Sequence, residues 1–87
     1  MRKQYISILK EVFYKHLIAA RSRLELTQES MASILVMNTR NFVELDHGKS
    51  CCSSLTLSLF LIYCCPDPIA FLDELRTAYE RSDDNAA

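Results

Sequence analysis

The chain predicts an all-α domain of five helices, and three observations carry that prediction. Glycine and proline number only one and two among 87 residues, too few for the repeated tight turns of a β architecture. Apolar residues recur at three- and four-residue steps, the period of one helix face. Capping and stop residues divide the chain into five segments. Hydrophobic residues make up 49% of the sequence, enough for one compact core, although so small a domain gains from association. The length allows a single domain over residues 1–81, and the tail SDDNAA, residues 82–87, is expected to be disordered.

The first segment places Tyr5, Leu9, Val12, Phe13, Leu17, Ala20 and Leu24 on one stripe. That spacing predicts an amphipathic helix of roughly 20 residues ending near Leu24, with His16 at the margin of its apolar face. Glu25-Leu26 links it to a second helix, which opens at Thr27, a good N-cap. Met31, Ile34 and Leu35 form the apolar face of this helix, and Ala32 is small enough to admit a neighbour closely. Val36 and Met37 form the turn. Asn38 caps a third helix with Phe42 and Leu45 on its inner side, and Gly48 supplies the left-handed stop.

Ser50 to Ser54 is a loop ending in two hydroxyl caps. The fourth helix, LTLSLFLIYCC, carries no charge on any face, so burial on most of its sides is expected. Pro66-Asp67-Pro68 breaks the chain. Asp67 caps the fifth helix, with Pro68 at its first position, where a missing N–H costs nothing. Ile69, Leu72, Leu75 and Tyr79 form its expected stripe, with Phe71 off that stripe. The acids Asp73 and Glu74 come early and Arg76 and Arg81 late, roughly matching the helix dipole.

A net charge of −1 conceals a gradient. Residues 1–24 carry a net +5, the middle of the chain −2, and residues 66–87 −4. Only the first helix therefore offers a basic footprint of the kind that nucleic-acid binders use. The basic start, MRKQYISILK, lacks the apolar core and cleavage site of a signal peptide. The uncharged run from Ser50 to Pro66 has too few apolar positions for the roughly 20 a membrane span needs. The expected compartment is the cytoplasm.

The four cysteines stand as two adjacent pairs, Cys51-Cys52 and Cys64-Cys65. Structural zinc sites use Cys-x₂₋₄-Cys spacing, and disulfides are not expected in a reducing cytoplasm. Cys64 and Cys65 are expected to pack as small apolar residues. Cys51 and Cys52 are expected in an exposed loop, where a redox role stays open. No phosphate loop, catalytic triad or acidic pair marks an enzyme. No cofactor, metal or small-molecule ligand is predicted.

Residues 27–49, TQESMASILVMNTRNFVELDHGK, are the most informative stretch: helix, short turn, capped helix, the frame that presents a recognition helix to DNA. With Arg21 before them and the apolar fourth helix after, they resemble the lambda-repressor-like, or XRE-type, helix-turn-helix family. The anchors are Arg21, Thr27-Gln28-Glu29, Ala32, Leu35, Phe42, Leu45-Asp46 and Gly48-Lys49, and the likeness runs from about His16 to Asp67.

The resemblance implies a five-helix lambda-repressor-like DNA-binding domain whose first helix is extended by about two turns. It implies a sequence-specific regulator, repressor-type, binding double-stranded DNA as a homodimer through the later helices or the extended first helix. Gln28 would touch a backbone phosphate. Thr39, Arg40 and Glu44 would face the major-groove floor, Arg40 gripping guanine and Glu44 accepting from cytosine. Asn41, His47 and Lys49 would meet phosphate or sugar, and Val43 a thymine methyl. Arg21 and Asp46 would form a partly buried ion pair. Three positions depart from the family pattern: Val36 stands where Gly is favoured, Asp46, one methylene shorter, where Glu is usual, and Val43 is apolar at a position expected to be exposed. An alternative on the same fold is a protein-interaction module, antitoxin-like or an anti-repressor partner, favoured by the acidic C-terminal half and by Val43.

Overall fold

The computed structural model describes the backbone of residues 2–86 and the side chains of residues 3–82. Five helices follow one another: α1 (Arg2–Leu24), α2 (Gln28–Ile34), α3 (Thr39–Asp46), α4 (Ser54–Tyr63) and α5 (Pro68–Ala86). The described residues contain no strand. None of their helices is long and apolar enough to cross a membrane.

Four helix starts follow directly from short polar side chains. Thr27 accepts from the Ser30 N–H at 3.1 Å, and Asn38 from the Asn41 N–H at 2.8 Å. Ser53 accepts from the Thr56 N–H at 3.2 Å and Asp67 from the Ala70 N–H at 3.1 Å. Each bond satisfies one donor that the first helical turn leaves without a partner.

Three helix ends share one geometry. At each, a left-handed residue lets its own N–H and the one after it fold back onto the last turn. After α1 the residue is Glu25, after α2 Val36 and after α3 Gly48, with φ of +54°, +53° and +71°. After α3, the Gly48 N–H bonds the Leu45 carbonyl and the Lys49 N–H bonds the Glu44 carbonyl. After α2, Val36 and Met37 make the same pair of bonds to Ser33 and Ala32. Glycine adopts this conformation freely, but a β-branched residue is strained in it. Val36, standing where the family favours Gly, is therefore strained in this turn.

α1 is the spine, about 34 Å long at 1.5 Å per residue. Its Val12, Phe13, Leu17 and Ala20 are buried against α3 and α5. Met31, Ala32 and Leu35 of α2, Phe42 and Leu45 of α3, Phe60 and Cys64 of α4, and Phe71 and Leu75 of α5 complete one core. Aromatic edges lock it: Phe13 meets Phe60 with centroids 5.1 Å apart, and Phe60 meets Phe71 at 6.2 Å. Tyr5 packs edge-on against Tyr79 at 4.9 Å and ties the extended start of α1 to α5. Arg23 donates to the Cys64 carbonyl at 2.7 Å and closes the C-terminal end of α4.

Three expectations change. α4 is not covered on most sides: only Thr56, Phe60 and Cys64 are buried along its length, while Leu55, Ile62 and Tyr63 stay more than 60% exposed. The stripe of α5 is rotated. Phe71 is fully buried with Leu75, whereas Ile69 and Leu72 face outward. The reason is shape, since Phe71 fills the space beside Phe60 and the His16 ring, 4.8 Å away. Finally, the helical backbone of α5 continues past Arg81 to Ala86, through most of the expected tail. Ala87 lies outside the described residues.

Candidate functional site

α3 has two faces with different tasks. Phe42, Leu45 and Asp46 point inward and are buried. On the opposite side, Arg40, Glu44 and His47 follow at four- and three-residue steps, so they form one outward line. All three are exposed, as are Thr39 and Asn41 at the start of the helix and Lys49 just beyond its end. Val43 sits half-buried on the flank. Arg40 forms no ion pair among the described residues.

The inward side is held by a polar clamp. Asp46, with a side chain 3% exposed, receives Arg21 twice, Nη2 to Oδ2 at 3.0 Å and Nε to Oδ1 at 3.2 Å. Gln28 Nε2 donates to the same Oδ2 at 3.0 Å. One carboxylate thus joins α1, α2 and α3, and the forked guanidinium matches its two oxygens. The shorter acid does not loosen the pair, because Gln28 fills in beside it. Gln28, expected to reach outward, is half-buried with its amide engaged on Asp46. No signal for that bond stands in the sequence, since either partner alone has a surface alternative.

The end of α3 rests on α1. A Cβ at Gly48 would lie 3.3 Å from Tyr14 Cδ1, so glycine is required by the close approach as well as by φ. Around it, Ser7, Lys10, Glu11, Tyr14 and His47 border a shallow cleft of about 290 Å³. Lys10 and Tyr14 therefore join the neighbourhood of His47, an adjacency across 33 or more residues that helix spacing alone does not reveal. A second cleft, of about 180 Å³, places Asn41 and Glu44 beside the loop of Cys51 and Cys52.

The cysteines are free thiols. Cys51 and Cys52 are half-buried rather than exposed, with Cys51 Sγ directed at the Ile6 carbonyl at 4.0 Å. Burial pushes the Cys52 thiol up from its usual 9.0 to about 12, reinforced by its neighbour Cys51. The Tyr79 phenol is raised as well, by burial and then by Cys51 and Cys52. Cys64 packs in the core with Sγ 3.8 Å from Met31 Sδ, and burial raises its pKa against the opposing pull of Arg23. Cys65 is half-buried beside it. Among the described residues no group of three or more His, Cys, Asp or Glu side chains could hold a metal ion. His16 links helices, with Nε2 3.0 Å from Glu74 Oε1.

Chemically, the outer line of α3 offers the donor-only Arg40 and the groups Thr39, Asn41 and His47, which both donate and accept, around one carboxylate, Glu44. The α2–α3 pair is net negative, with Arg40 against Glu29, Glu44 and Asp46 and with Lys49 following. The cationic surplus lies on α1. Compared with protein-family models, curated proteins and solved structures, the chain returns no match to any of them.

Proposed function

We propose that this protein is a sequence-specific DNA-binding regulator of the lambda-repressor-like, XRE type, repressing by occupying operator DNA in the cytoplasm as a homodimer. One observation carries the reading: α3 is anchored on one side by Phe42, Leu45 and the Arg21–Asp46 clamp, and presents Arg40 unpaired on the other. A short helix held rigidly with a free guanidinium on its outer line suits the major groove, where Arg grips guanine O6 and N7. In this reading Thr39 and Glu44 flank the base contact, with Val43 toward a thymine methyl. Asn41, His47 and Lys49 meet the backbone. Gln28 acts inside the clamp and leaves the contacting set.

The test is binding to a selected DNA pool across a salt series. Arg40→Ala weakens the selected sites by about 1–3 kcal/mol and relaxes preference at one base pair, while Lys49→Ala weakens all sites alike and lowers the salt slope by about one. Affinity that ignores salt and both substitutions would refute the reading. That outcome would favour a protein-interaction module, for which the supporting feature is Glu44 in the middle of the outer line, where it repels phosphate.

A further inference from the structure

We propose that the cleft between α1 and the end of α3 is a phosphate site, in which Lys10 and Tyr14 hold one phosphodiester of the DNA strand bordering the groove that α3 reads. The inference rests on the reading of α3 as the DNA-contacting helix and adds α1 to the contacting surface.

The site follows from the spacing of α1. Ser7, Lys10 and Tyr14 recur at three- and four-residue steps and share one stripe of that helix. The stripe faces the left-handed turn at Gly48, where Tyr14 lies against the glycine. With His47 from the end of α3, it borders the cleft of about 290 Å³. Four side chains that can donate thus converge from two elements: the Ser7 and Tyr14 hydroxyls, the Lys10 ammonium and the His47 ring. None of the four has a side-chain hydrogen bond or ion pair among the described residues. Glu11, at the rim, is the one carboxylate in the lining.

The other cations of α1 have different surroundings. Among those whose side chains are described, Arg21 is held on Asp46 and Arg23 on the Cys64 carbonyl. Lys15 borders a separate groove toward α5, with Asp73 and Glu74. That leaves Lys10, half-buried in the cleft, and Lys3, exposed and four residues before Ser7 on the same stripe. The basic surplus of α1 that no carboxylate or carbonyl takes up therefore adjoins α3.

The dimensions agree. His47 follows Arg40 by seven residues, about 10 Å along α3 at 1.5 Å per residue. The major groove is about 12 Å wide. With Arg40 on the groove floor, the end of α3 lies at the groove edge, where the phosphates run. The carbonyls of Val43, Glu44 and Leu45 are taken by the N–H groups of His47, Lys49 and Gly48, which weakens the negative pole an anion would meet there. A backbone contact at this place fixes the register in which Arg40 meets its base.

Binding of the full chain to a selected duplex and to an unrelated one of equal length, across a salt series, tests this. Lys10→Gln weakens both duplexes alike and lowers the log–log salt slope by about one, while Lys10→Arg keeps the slope. Tyr14→Phe weakens both about threefold with the slope unchanged. Glu11→Gln strengthens both. Lys15→Gln removes the same charge outside the cleft and leaves affinity and slope unchanged. Far-UV circular dichroism reports whether each variant keeps its helices. A slope indifferent to Lys10→Gln overturns the proposal, as does an equal loss in Lys15→Gln, which would report net charge rather than a site. If Lys10→Gln is silent while Arg40→Ala weakens the selected duplex, the phosphate site fails and the regulator reading stands. If Lys10→Gln lowers the slope but the selected duplex binds no better than the unrelated one, the site stands and sequence-specific regulation fails. A wild type that binds neither duplex overturns both.

Discussion

α3 and α4 are consecutive helices of similar length, yet their outer faces have opposite chemistry. α3 splits cleanly, with Phe42 and Leu45 within and Arg40, Glu44 and His47 without. α4 is apolar on both sides, so solvation alone does not choose which side turns inward. Aromatic fit chooses, through Phe60 against Phe13 and Phe71. The buried residue of its first turn is then Thr56, whose hydroxyl bonds Ser53 at 3.1 Å, while Leu55 is left outside. An amphipathic helix is oriented by water; a uniformly apolar one is oriented by the shape of its neighbours.

That contrast can be broken by core truncation, the largest expected effect. Phe42→Ala and Phe60→Ala should each cost about 3–5 kcal/mol in urea unfolding. Arg40→Ala and Ile62→Ala, on the outer faces, should stay within about 0.5 kcal/mol when measured on the monomer. If Ile62→Ala costs as much as Phe60→Ala, α4 does not turn its Phe60 side alone toward the core.

The clamp beneath α3 comes next. Arg21→Ala leaves the buried Asp46 with Gln28 alone and should cost about 3 kcal/mol, the low end for breaking a buried pair because Arg21 is itself partly exposed. Arg21→Lys should recover part of that loss but not the second hydrogen bond. A loss below about 1 kcal/mol in the alanine variant would mean that the clamp does not hold α3 in place.

A smaller effect of opposite sign sits in the turn between α2 and α3. Val36 is 72% exposed and left-handed, so Val36→Gly relieves strain and gives up almost no packing. A gain of about 1 kcal/mol is expected from the left-handed penalty, visible as a higher thermal midpoint. Gly48→Ala should do the reverse, with Tyr14 in its way.

The loop joining the two helices supplies the mildest test. Cys52 has its folded pKa raised from 9.0 to about 12. Its contribution to stability is complete below 9.0 and is lost as pH climbs from there toward 12, because the unfolded chain gives up the proton first. Denaturation midpoints should fall above pH 9.0, and Cys52→Ala should flatten that fall.

Much of the architecture is legible locally. Thr27, Asn38 and Asp67 are strong caps whose partners lie three residues away, and each bond forms as expected. The Arg21–Asp46 pair follows only from the family likeness, yet its geometry is present. Gln28 reads as outward because nothing within its own helix competes for its amide; Asp46, 18 residues away, does. Phe71 falls off the expected stripe of α5 because Ile69, Leu72, Leu75 and Tyr79 also satisfy a helical period, and periodicity cannot rank two overlapping faces.

By itself, the sequence determined the number of helices, the capped starts of α2 to α5, the stops of α1 to α3, and which side of α1, α2 and α3 turns inward. Those properties depend on contacts within one or two turns and on a clear contrast between polar and apolar faces. Only the tertiary structure decided the rotation of α4 and α5, the coupling of Gln28 to Asp46, and the seating of Gly48 on Tyr14. Each of these depends on the volume and position of groups far apart in the chain, which no local pattern of hydrophobicity encodes.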